Sequence, residues 1–351
     1  MRRFISNDRP GHPVAAALVV LLLAGLVAAP FLFPGTRSMA VASRIAIFIV
    51  LAASYDILLG YTGIVSFAHA MFFAIGAYGI AIPLASGRVG WDAMLAGLLA
   101  GIALSGVLAA AIALLSLRVQ RIFFSMITLA VASFAQILVT RLRDLTGGED
   151  GLTFSLPASL GPGFRLLENP VFGVAVNGRL LTYYLILSIA VALFLLMLRI
   201  VNSPFGRVLQ AIRENEFRAE ALGYPTVVYR TVASILAAVF AAIAGAMLAV
   251  LLRYVGPDST LSFAVMTDIL LMVVIGGMGT LYGPALGATV IVMAEYYLQP
   301  VLQTASDALA DLPILAALLH PDRWLLWLGL IFIGIVYFLP AGIIGSLRRR
   351  A

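Results

Sequence analysis

The chain has 351 residues, of which 62% are apolar and only 11% are charged, whereas an average soluble domain carries about 25% charged residues. At this length, a mean hydropathy of +1.08 means more apolar surface than one soluble core buries. Soluble enzymes and nucleic-acid-binding domains are therefore excluded, and the composition predicts a polytopic membrane protein. The net charge of +6 then indicates basic cytoplasmic loops that face the anionic membrane lipid.

Two residue types are missing from the sequence. All 22 basic residues are arginine, so the lysine of a phosphate-binding loop is absent and no ATP site of that kind is expected. The sequence has no cysteine, and His12, His69 and His320 lie far apart, so neither a thiol nucleophile nor a zinc cluster is expected. We therefore predict that the protein is not an enzyme and holds no cofactor.

Ten segments are long and apolar enough to be candidate membrane spans. The first resembles a signal peptide at its basic start, but its apolar run continues to Phe33, which favours a retained span. We expect an all-α polytopic membrane protein with about ten transmembrane helices in one domain over residues 1–351. In chain order the segments are roughly 14–33, 39–59, 64–85, 92–117, 122–141, 180–200, 229–252, 263–277, 283–301 and 324–340.

Arginine placement predicts the orientation of these spans. With the N-terminus in the cytoplasm, the basic loop 199–218 and the tail Arg348-Arg349-Arg350 also lie inside, as the positive-inside rule requires. Both termini are then cytoplasmic, and residues 142–179 form an extracytoplasmic loop. The eighth segment is short for a full span, and a glycine cluster at residues 276–279 separates it from the ninth. Either segment is a candidate half-helix or re-entrant segment.

The cytoplasmic stretch 203–223 has helix punctuation at both ends. Ser203 is a candidate cap, Pro204 suits the first helical position, and Gly223 is a stop signal. The sequence predicts one amphipathic helix, or two that are broken near Asn215. An interfacial helix on lipid explains its arginines, but its three glutamates favour docking to a soluble partner. The predicted apolar face comprises Phe205, Val208, Leu209 and Ile212.

This stretch resembles the cytoplasmic coupling loop of ABC-importer permeases of the branched-chain amino acid (LivM-like) type. The broader E-A-A-x-x-x-G signature of importer permeases is present only in reduced form, as Glu220-Ala221-Leu222-Gly223. In order and spacing the similarity covers roughly residues 45–340. It is carried by Ser203-Pro204-Phe205-Gly206-Arg207, Ala211-Ile212-Arg213-Glu214-Asn215-Glu216, Ala221-Leu222-Gly223, and by the blocks 60–70, 145–152 and 276–284.

The resemblance implies a passive permease subunit without an ATP site of its own. Such a subunit pairs with a second homologous permease subunit, is powered by two ABC ATPase subunits, and receives a small-molecule substrate from an extracytoplasmic solute-binding protein. Its implied location is the bacterial plasma (inner) membrane, in contact with membrane lipid and not with nucleic acid. We predict ATPase coupling by Phe205, Gly206, Arg207, Ala211, Arg213, Glu214, Glu220 and Gly223.

The block that starts at Tyr61 mixes small and polar residues at the beginning of a span. Irregular backbone at membrane depth lines a cavity or is buried in protein, so a broken helix there could present its amide groups to a substrate. The alternative is that Gly60, Gly63, Gly76 and Gly79 allow close helix packing, with His69 as an interhelical hydrogen-bonding residue. The predicted pathway residues are Tyr61, Thr62, Gly63, Ser66, His69, Gly276, Gly277 and Gly279.

Three acids, Asp56, Asp268 and Glu295, lie within spans and are functional candidates because charge is costly in hydrocarbon. Each also lies near a span end, where an interfacial position is the alternative. In addition, Tyr61-Thr62-Gly63 followed by Ser66-Phe67-Ala68 recurs as Tyr254-Val255-Gly256 followed by Ser262-Phe263-Ala264. Ten spans that split as five plus five would make an inverted five-helix repeat.

The sequence therefore predicts a permease subunit that translocates branched-chain or other apolar amino acids while partner subunits hydrolyse ATP. One alternative is the same transporter type with urea or short amides as cargo. A second is an ion-coupled secondary transporter in which Asp56, Asp268 or Glu295 carries the cation.

Overall fold

The computed structural model describes residues 13–33, 35–116, 121–161, 163–165, 176–308, 318–339 and 341–349. Nearly all of its regular structure is helical, which confirms the predicted all-α polytopic class. The N-terminal half contains α1 (Pro13–Leu32), α2 (Thr36–Asp56), a π-helical turn (Ile57–Thr62), α3 (His69–Ala85), α4 (Trp91–Ser116), α5 (Arg121–Arg141) and α6 (Arg143–Thr146).

The C-terminal half begins with the long helix that leads into segment 203–223. It contains α7 (Gly178–Val201), α8 (Pro204–Glu214), α9 (Glu216–Ala221), α10 (Thr226–Leu252), α11 (Pro257–Thr260), α12 (Phe263–Gly276), α13 (Tyr282–Ala308), α14 (Trp324–Phe338) and α15 (Gly342–Arg349). Short 3-10 turns lie at Ala158–Leu160 and Pro321–Arg323.

Eight helices in the described part of the chain are long and apolar enough to cross a membrane. Two shorter apolar helices, Ala17–Leu32 and His69–Ala85, coincide with the first and third predicted segments. The central span is α2 with its π-helical turn, and 94% of its most apolar stretch is buried inside the protein. By contrast, only 11% of the most apolar stretch of α5 is buried. Most of the α5 surface is therefore available to contact lipid or a partner subunit.

Glycines bring the central helices into backbone contact. A Cβ on Gly76 of α3 would lie 2.6 Å from the Cα of Ala242 in α10, and a Cβ on Gly245 of α10 would lie 2.7 Å from the carbonyl carbon of Phe73 in α3. Residues with side chains would force these two helices apart. Close packing, one of the two interpretations of the glycines near Tyr61, therefore holds for Gly76.

The eighth predicted segment, residues 263–277, forms one short helix, α12. After α11, Ser262 caps α12 by accepting the N–H of Val265, and α12 has only 14 residues. At 1.5 Å per residue it is about 21 Å long, shorter than the roughly 30 Å hydrocarbon core. Residues 277–281, which we call the glycine loop, connect it to α13.

The extracytoplasmic loop predicted at 142–179 is described only in part, because residues 162 and 166–175 lie outside the described residues. Its strand β1 (Leu152–Thr153) pairs antiparallel with β2 (Tyr254–Val255), which follows α10. At the end of α10, Arg253 has a left-handed backbone (φ 56), and its guanidinium donates to the carbonyl oxygen of Leu160 at 3.1 Å. These contacts attach the loop to the C-terminal end of α10.

The two segments that repeat in sequence also meet in space. The rings of Phe67 and Phe263 stack with centroids 6.3 Å apart. This contact alone does not establish internal symmetry, so the inverted repeat and the total of ten spans stay predictions.

Candidate coupling segment and intramembrane site

Segment 203–223 forms two helices, one of the two arrangements that the sequence left open, with the break at Asn215. Asn215 ends α8, and its side chain caps α9 by accepting the N–H of Arg218 at 2.9 Å. Pro204 begins α8, as expected. The prediction for Ser203 is wrong in one respect: its hydroxyl donates to the carbonyl oxygen of Ile200 at 2.6 Å instead of capping α8.

The apolar face of α8 packs against the protein's own core. Leu209 and Ile212 are fully buried, and the ring of Phe205 stacks on Tyr229 of α10 at 5.7 Å. A Cβ on Gly206 would lie 2.7 Å from the Cα of Val201 at the end of α7. Phe205 and Gly206 therefore anchor α8 in this structure, and their predicted role in coupling stays a prediction.

Helix α9 is attached to α10 through two carboxylates. Glu216 accepts two hydrogen bonds from the guanidinium of Arg230, one of them at 2.8 Å, and the Arg230 side chain is only 5% exposed. Glu220 accepts the hydroxyl of Thr226 at 2.7 Å. Glu216 was not among the predicted coupling residues, because its partner lies 14 positions further along, beyond the reach of helical spacing rules.

The end of α9 is a Schellman motif, as the glycine stop signal predicts. Gly223 has φ +90, and its N–H donates to the carbonyl of Glu220 at 2.8 Å. The N–H of Tyr224 donates to the carbonyl of Ala219 at 3.1 Å. These bonds satisfy carbonyl groups that the helix end would leave without partners.

The outward face of the segment combines charge with two apolar side chains. Phe217 is 84% exposed and Leu222 is 72% exposed. The predicted coupling residues Arg207, Ala211 and Glu214 are exposed on the same two helices. Sequence periodicity did not single out Phe217 or Leu222, because neither belongs to the apolar face of α8.

Arg213, an exposed residue of α8, contacts the π-helical turn after α2. Its guanidinium donates to the carbonyl oxygen of Gly60 in the π-helical turn. A Cβ on Gly279 would lie 2.7 Å from Nη1 of the same guanidinium. Asp56, fully buried at the end of α2, accepts the N–H of Gly279 with both carboxylate oxygens, at 3.0 and 3.2 Å. The structure thus joins one predicted coupling residue to one predicted pathway residue, Gly279.

The other predicted pathway residues near Tyr61 are buried inside the described chain. Tyr61 and Thr62 are fully buried, and Ser66 is 4% exposed. Thr62 donates its hydroxyl to the carbonyl of Leu58 at 2.5 Å. Gly63 ends the π-helical turn with φ +71, a left-handed conformation that favours glycine.

His69, at the start of α3, is a fully buried interhelical hydrogen-bonding residue. Its Nε2 lies 2.9 Å from the hydroxyl of Ser54 in α2, and its ring packs against Tyr55 with centroids 5.1 Å apart. This arrangement is the hydrogen-bonding alternative that the sequence offered for His69.

Residues 63–68 between the π-helical turn and α3 are not helical, and α5 supplies their polar partners. Ser125 donates its hydroxyl to the carbonyl of Val65 at 2.9 Å. The hydroxyl of Thr128 accepts the N–H of Phe67 at 3.1 Å. An unwound segment at membrane depth requires such partners. No local sequence pattern identified Ser125 and Thr128 as these partners.

The remaining predicted pathway glycines lie where three elements converge. A Cβ on Gly276 would lie 2.9 Å from the nitrogen of Pro284 in α13. Gly277 has φ +111, and a Cβ there would lie 2.9 Å from the carbonyl oxygen of Ala341 before α15. The left-handed or otherwise irregular backbone of the glycine loop and its close contacts explain why glycine is required there.

The other two intramembrane acids lie close to Arg44 of α2. Arg44 pairs with Glu295 of α13 at 3.4 Å and lies over the rings of Phe48 and Tyr296, at 5.3 and 5.6 Å. Asp268 of α12 interacts electrostatically with both Glu295 and Arg44. This mixed cluster joins three spans. The described residues contain no group of three or more metal-ligating side chains.

The long apolar helices of the described residues define a polytopic, helical membrane protein. The model of the family "Branched-chain amino acid transport system / permease component" matches residues 38–346. The chain belongs to this family of permease components, and it is a multi-pass membrane protein.

Curated relatives agree with this assignment. The chain is 28% identical to the high-affinity branched-chain amino acid transport system permease protein LivM of Salmonella typhimurium and to its namesake in Escherichia coli K12, in each case over 91% of this chain and 77% of the relative. It is 29% identical to a probable LivM of Methanocaldococcus jannaschii over 46% of this chain and 45% of the relative. No solved structure matches the chain.

Proposed function

We propose that this chain is the permease subunit of an ABC importer that carries branched-chain or other apolar amino acids across the bacterial plasma membrane. The proposed energy source is ATP hydrolysis by two partner subunits, since no lysine is present for a phosphate-binding loop. A second homologous permease subunit and an extracytoplasmic solute-binding protein complete the proposed assembly. Family membership and the named transport systems of the relatives support this proposal.

The observation that carries the proposal is the pair of helices α8 and α9. Their inner side is attached by Leu209, Ile212 and the Glu216–Arg230 ion pair, whereas Phe217 and Leu222 project outward. A rigid element with two exposed apolar side chains among mixed charges suits a groove on a soluble partner. Anionic lipid would repel the exposed carboxylate of Glu214 on this face.

The same assignment gives the proposed orientation. If α8 and α9 contact cytoplasmic ATPase subunits, then α7 ends and α10 begins on the cytoplasmic side. Both termini then lie in the cytoplasm, and the outer loop that β1 attaches to α10 faces the solute-binding protein.

The relatives' branched-chain amino acid transport systems support branched-chain amino acids as the cargo. Urea and short amides remain the alternative cargo, and competition with leucine uptake distinguishes them. The ion-coupled alternative is less well supported, because both carboxylate oxygens of Asp56 share the N–H of Gly279 and Glu295 pairs with Arg44. These contacts give both acids a structural role that explains their presence within spans without a bound cation.

Uptake of radiolabelled leucine by reconstituted vesicles tests the proposal. We expect uptake only when the ATPase subunits, the partner permease, the solute-binding protein and ATP are all present. Uptake that an ion gradient drives without ATP would contradict the proposal. For docking, Phe217→Ser with Leu222→Ser should abolish co-purification of the ATPase subunits. The control is Val89→Ser, which changes a 48% exposed apolar residue in the loop between α3 and α4.

A further inference from the structure

Three segments of the chain contact one another at a site that we call the junction. They are the π-helical turn after α2, the glycine loop between α12 and α13, and the cytoplasmic helix α8. Asp56 and Gly279 connect the first two through hydrogen bonds between residues 223 positions apart. Arg213 of α8 contacts both sides, because its guanidinium binds the carbonyl of Gly60 and touches Gly279.

The two sides of this junction are in direct contact but have little regular structure. A Cβ on Gly60 would lie 2.6 Å from the carboxylate carbon of Asp56, and it would also overlap the backbone nitrogen of Gly279. One side is a π-helical turn, a feature frequent at functional sites, and the other is a loop with left-handed glycines. Neither segment has the continuous α-helical hydrogen bonding of the spans around it.

The junction contains one acidic and one basic side chain, Asp56 of α2 and Arg213 of α8. Asp56 is fully buried, and a buried carboxylate is costly unless hydrogen bonds and a nearby positive charge compensate it. Arg213 of α8 places its guanidinium against the same two glycines, beside the backbone N–H of Gly279 that Asp56 accepts. A shift of α8 therefore changes the free energy of the closed junction directly.

We propose that the π-helical turn and the glycine loop form the inner gate of the translocation pathway, and that Arg213 is a positioning residue that holds this gate closed. The inference rests on the proposed function, since α8 must be moved by docked ATPase subunits. Displacement of α8 withdraws the guanidinium from Gly60 and Gly279 and weakens the contact between Asp56 and Gly279. The gate is then a two-state element whose equilibrium α8 biases.

The first experiment separates docking from gating in the complete reconstituted complex. Arg213→Ala should leave co-purification of the ATPase subunits unchanged and should preserve ATP hydrolysis. Leucine uptake per ATP hydrolysed should fall roughly tenfold to a hundredfold, the shift that the loss of one charge-assisted hydrogen bond produces. Asp56→Asn should act in the same direction, and Arg213→Lys should restore part of the coupling. The matched control is Arg88→Ala, in the loop between α3 and α4.

The second experiment reads the gate itself and does not depend on uptake. Because the natural chain has no cysteine, a single Thr280→Cys substitution in the glycine loop gives a unique labelling site. We expect a cytoplasmic thiol reagent to modify this cysteine slowly in the resting complex. Modification should become roughly tenfold faster with Arg213→Ala, whereas Arg88→Ala should leave the rate unchanged.

Two outcomes would overturn the gate assignment. If Arg213→Ala releases the ATPase subunits, Arg213 is a docking contact, and the proposed function stands without the gate. If the variants keep normal uptake per ATP and an unchanged labelling rate, the junction is a static packing contact. Failure of the proposed function is distinguishable, because unmodified complexes would then show no ATP-dependent leucine uptake.

Discussion

Replacement of Gly76 by alanine tests the packing that holds the transmembrane core together. The added methyl group would lie 2.6 Å from the Cα of Ala242 and would also overlap the carbonyl oxygen of that residue. Non-bonded carbons prefer separations of about 3.5–4.0 Å, so α3 and α10 must separate by roughly 1 Å. The obstacle is backbone, which cannot rotate away as a side chain does.

The expected magnitude combines two opposing terms. Overpacking of a core typically costs about 1–3 kcal/mol, and an obstacle made of backbone places Gly76→Ala near the upper end. The gain in helix propensity offsets about 1 kcal/mol. We therefore expect net destabilisation of about 1–2 kcal/mol, with Gly245→Ala showing a similar loss.

A matched control lies on the neighbouring helix and faces the same partner. A Cβ on Gly106 of α4 would lie 3.9 Å from Ile235 of α10, an ordinary contact distance. Gly106→Ala should therefore stabilise the protein by about 0.5–1 kcal/mol through helix propensity. Thermal denaturation of the detergent-purified chain should rank Gly106→Ala at or above the wild type and Gly76→Ala below it. Equal melting temperatures for Gly76→Ala and the wild type would refute the packing argument.

Three further substitutions test individual contacts. Glu216→Gln should destabilise the chain by about 1.5–3 kcal/mol in thermal denaturation, because it leaves the buried guanidinium of Arg230 without its carboxylate; an unchanged melting temperature would show that the pair contributes nothing. Glu295→Gln should lose only about 1 kcal/mol, because the ion pair with Arg44 is partly exposed, and should keep leucine uptake dependent on ATP; loss of transport with normal stability would instead favour ion coupling. Gly223→Ala should cost about 1–2 kcal/mol from backbone conformation alone, since no neighbouring atom obstructs a Cβ there. Faster proteolysis after α9 would reveal the frayed helix end, and an unaltered digestion pattern would contradict this account.

Local patterns in the sequence were sufficient for several features of this protein. Hydropathy placed the membrane spans, because a helix in lipid needs a continuous apolar run. Start and stop signals at Pro204, Asn215 and Gly223 predicted where the helices of segment 203–223 begin and end, because such signals act within a few residues. The periodicity of α8 correctly identified a buried face, but it did not reveal that this face packs against the chain's own core.

The sequence by itself determined the class of protein, the long apolar helices and the helices of segment 203–223, because these depend on composition and on spacing within one helix. Only the tertiary structure decided which residues meet at the junction. Arg213 and Gly60 are 153 positions apart, and Asp56 and Gly279 are 223 apart. No local pattern encodes contacts of that range, since they depend on how α2, α8 and α12 pack together. For the same reason, the ion pair of Glu216 with Arg230 and the exposure of Phe217 could be recognised only from the packing of α9 against α10.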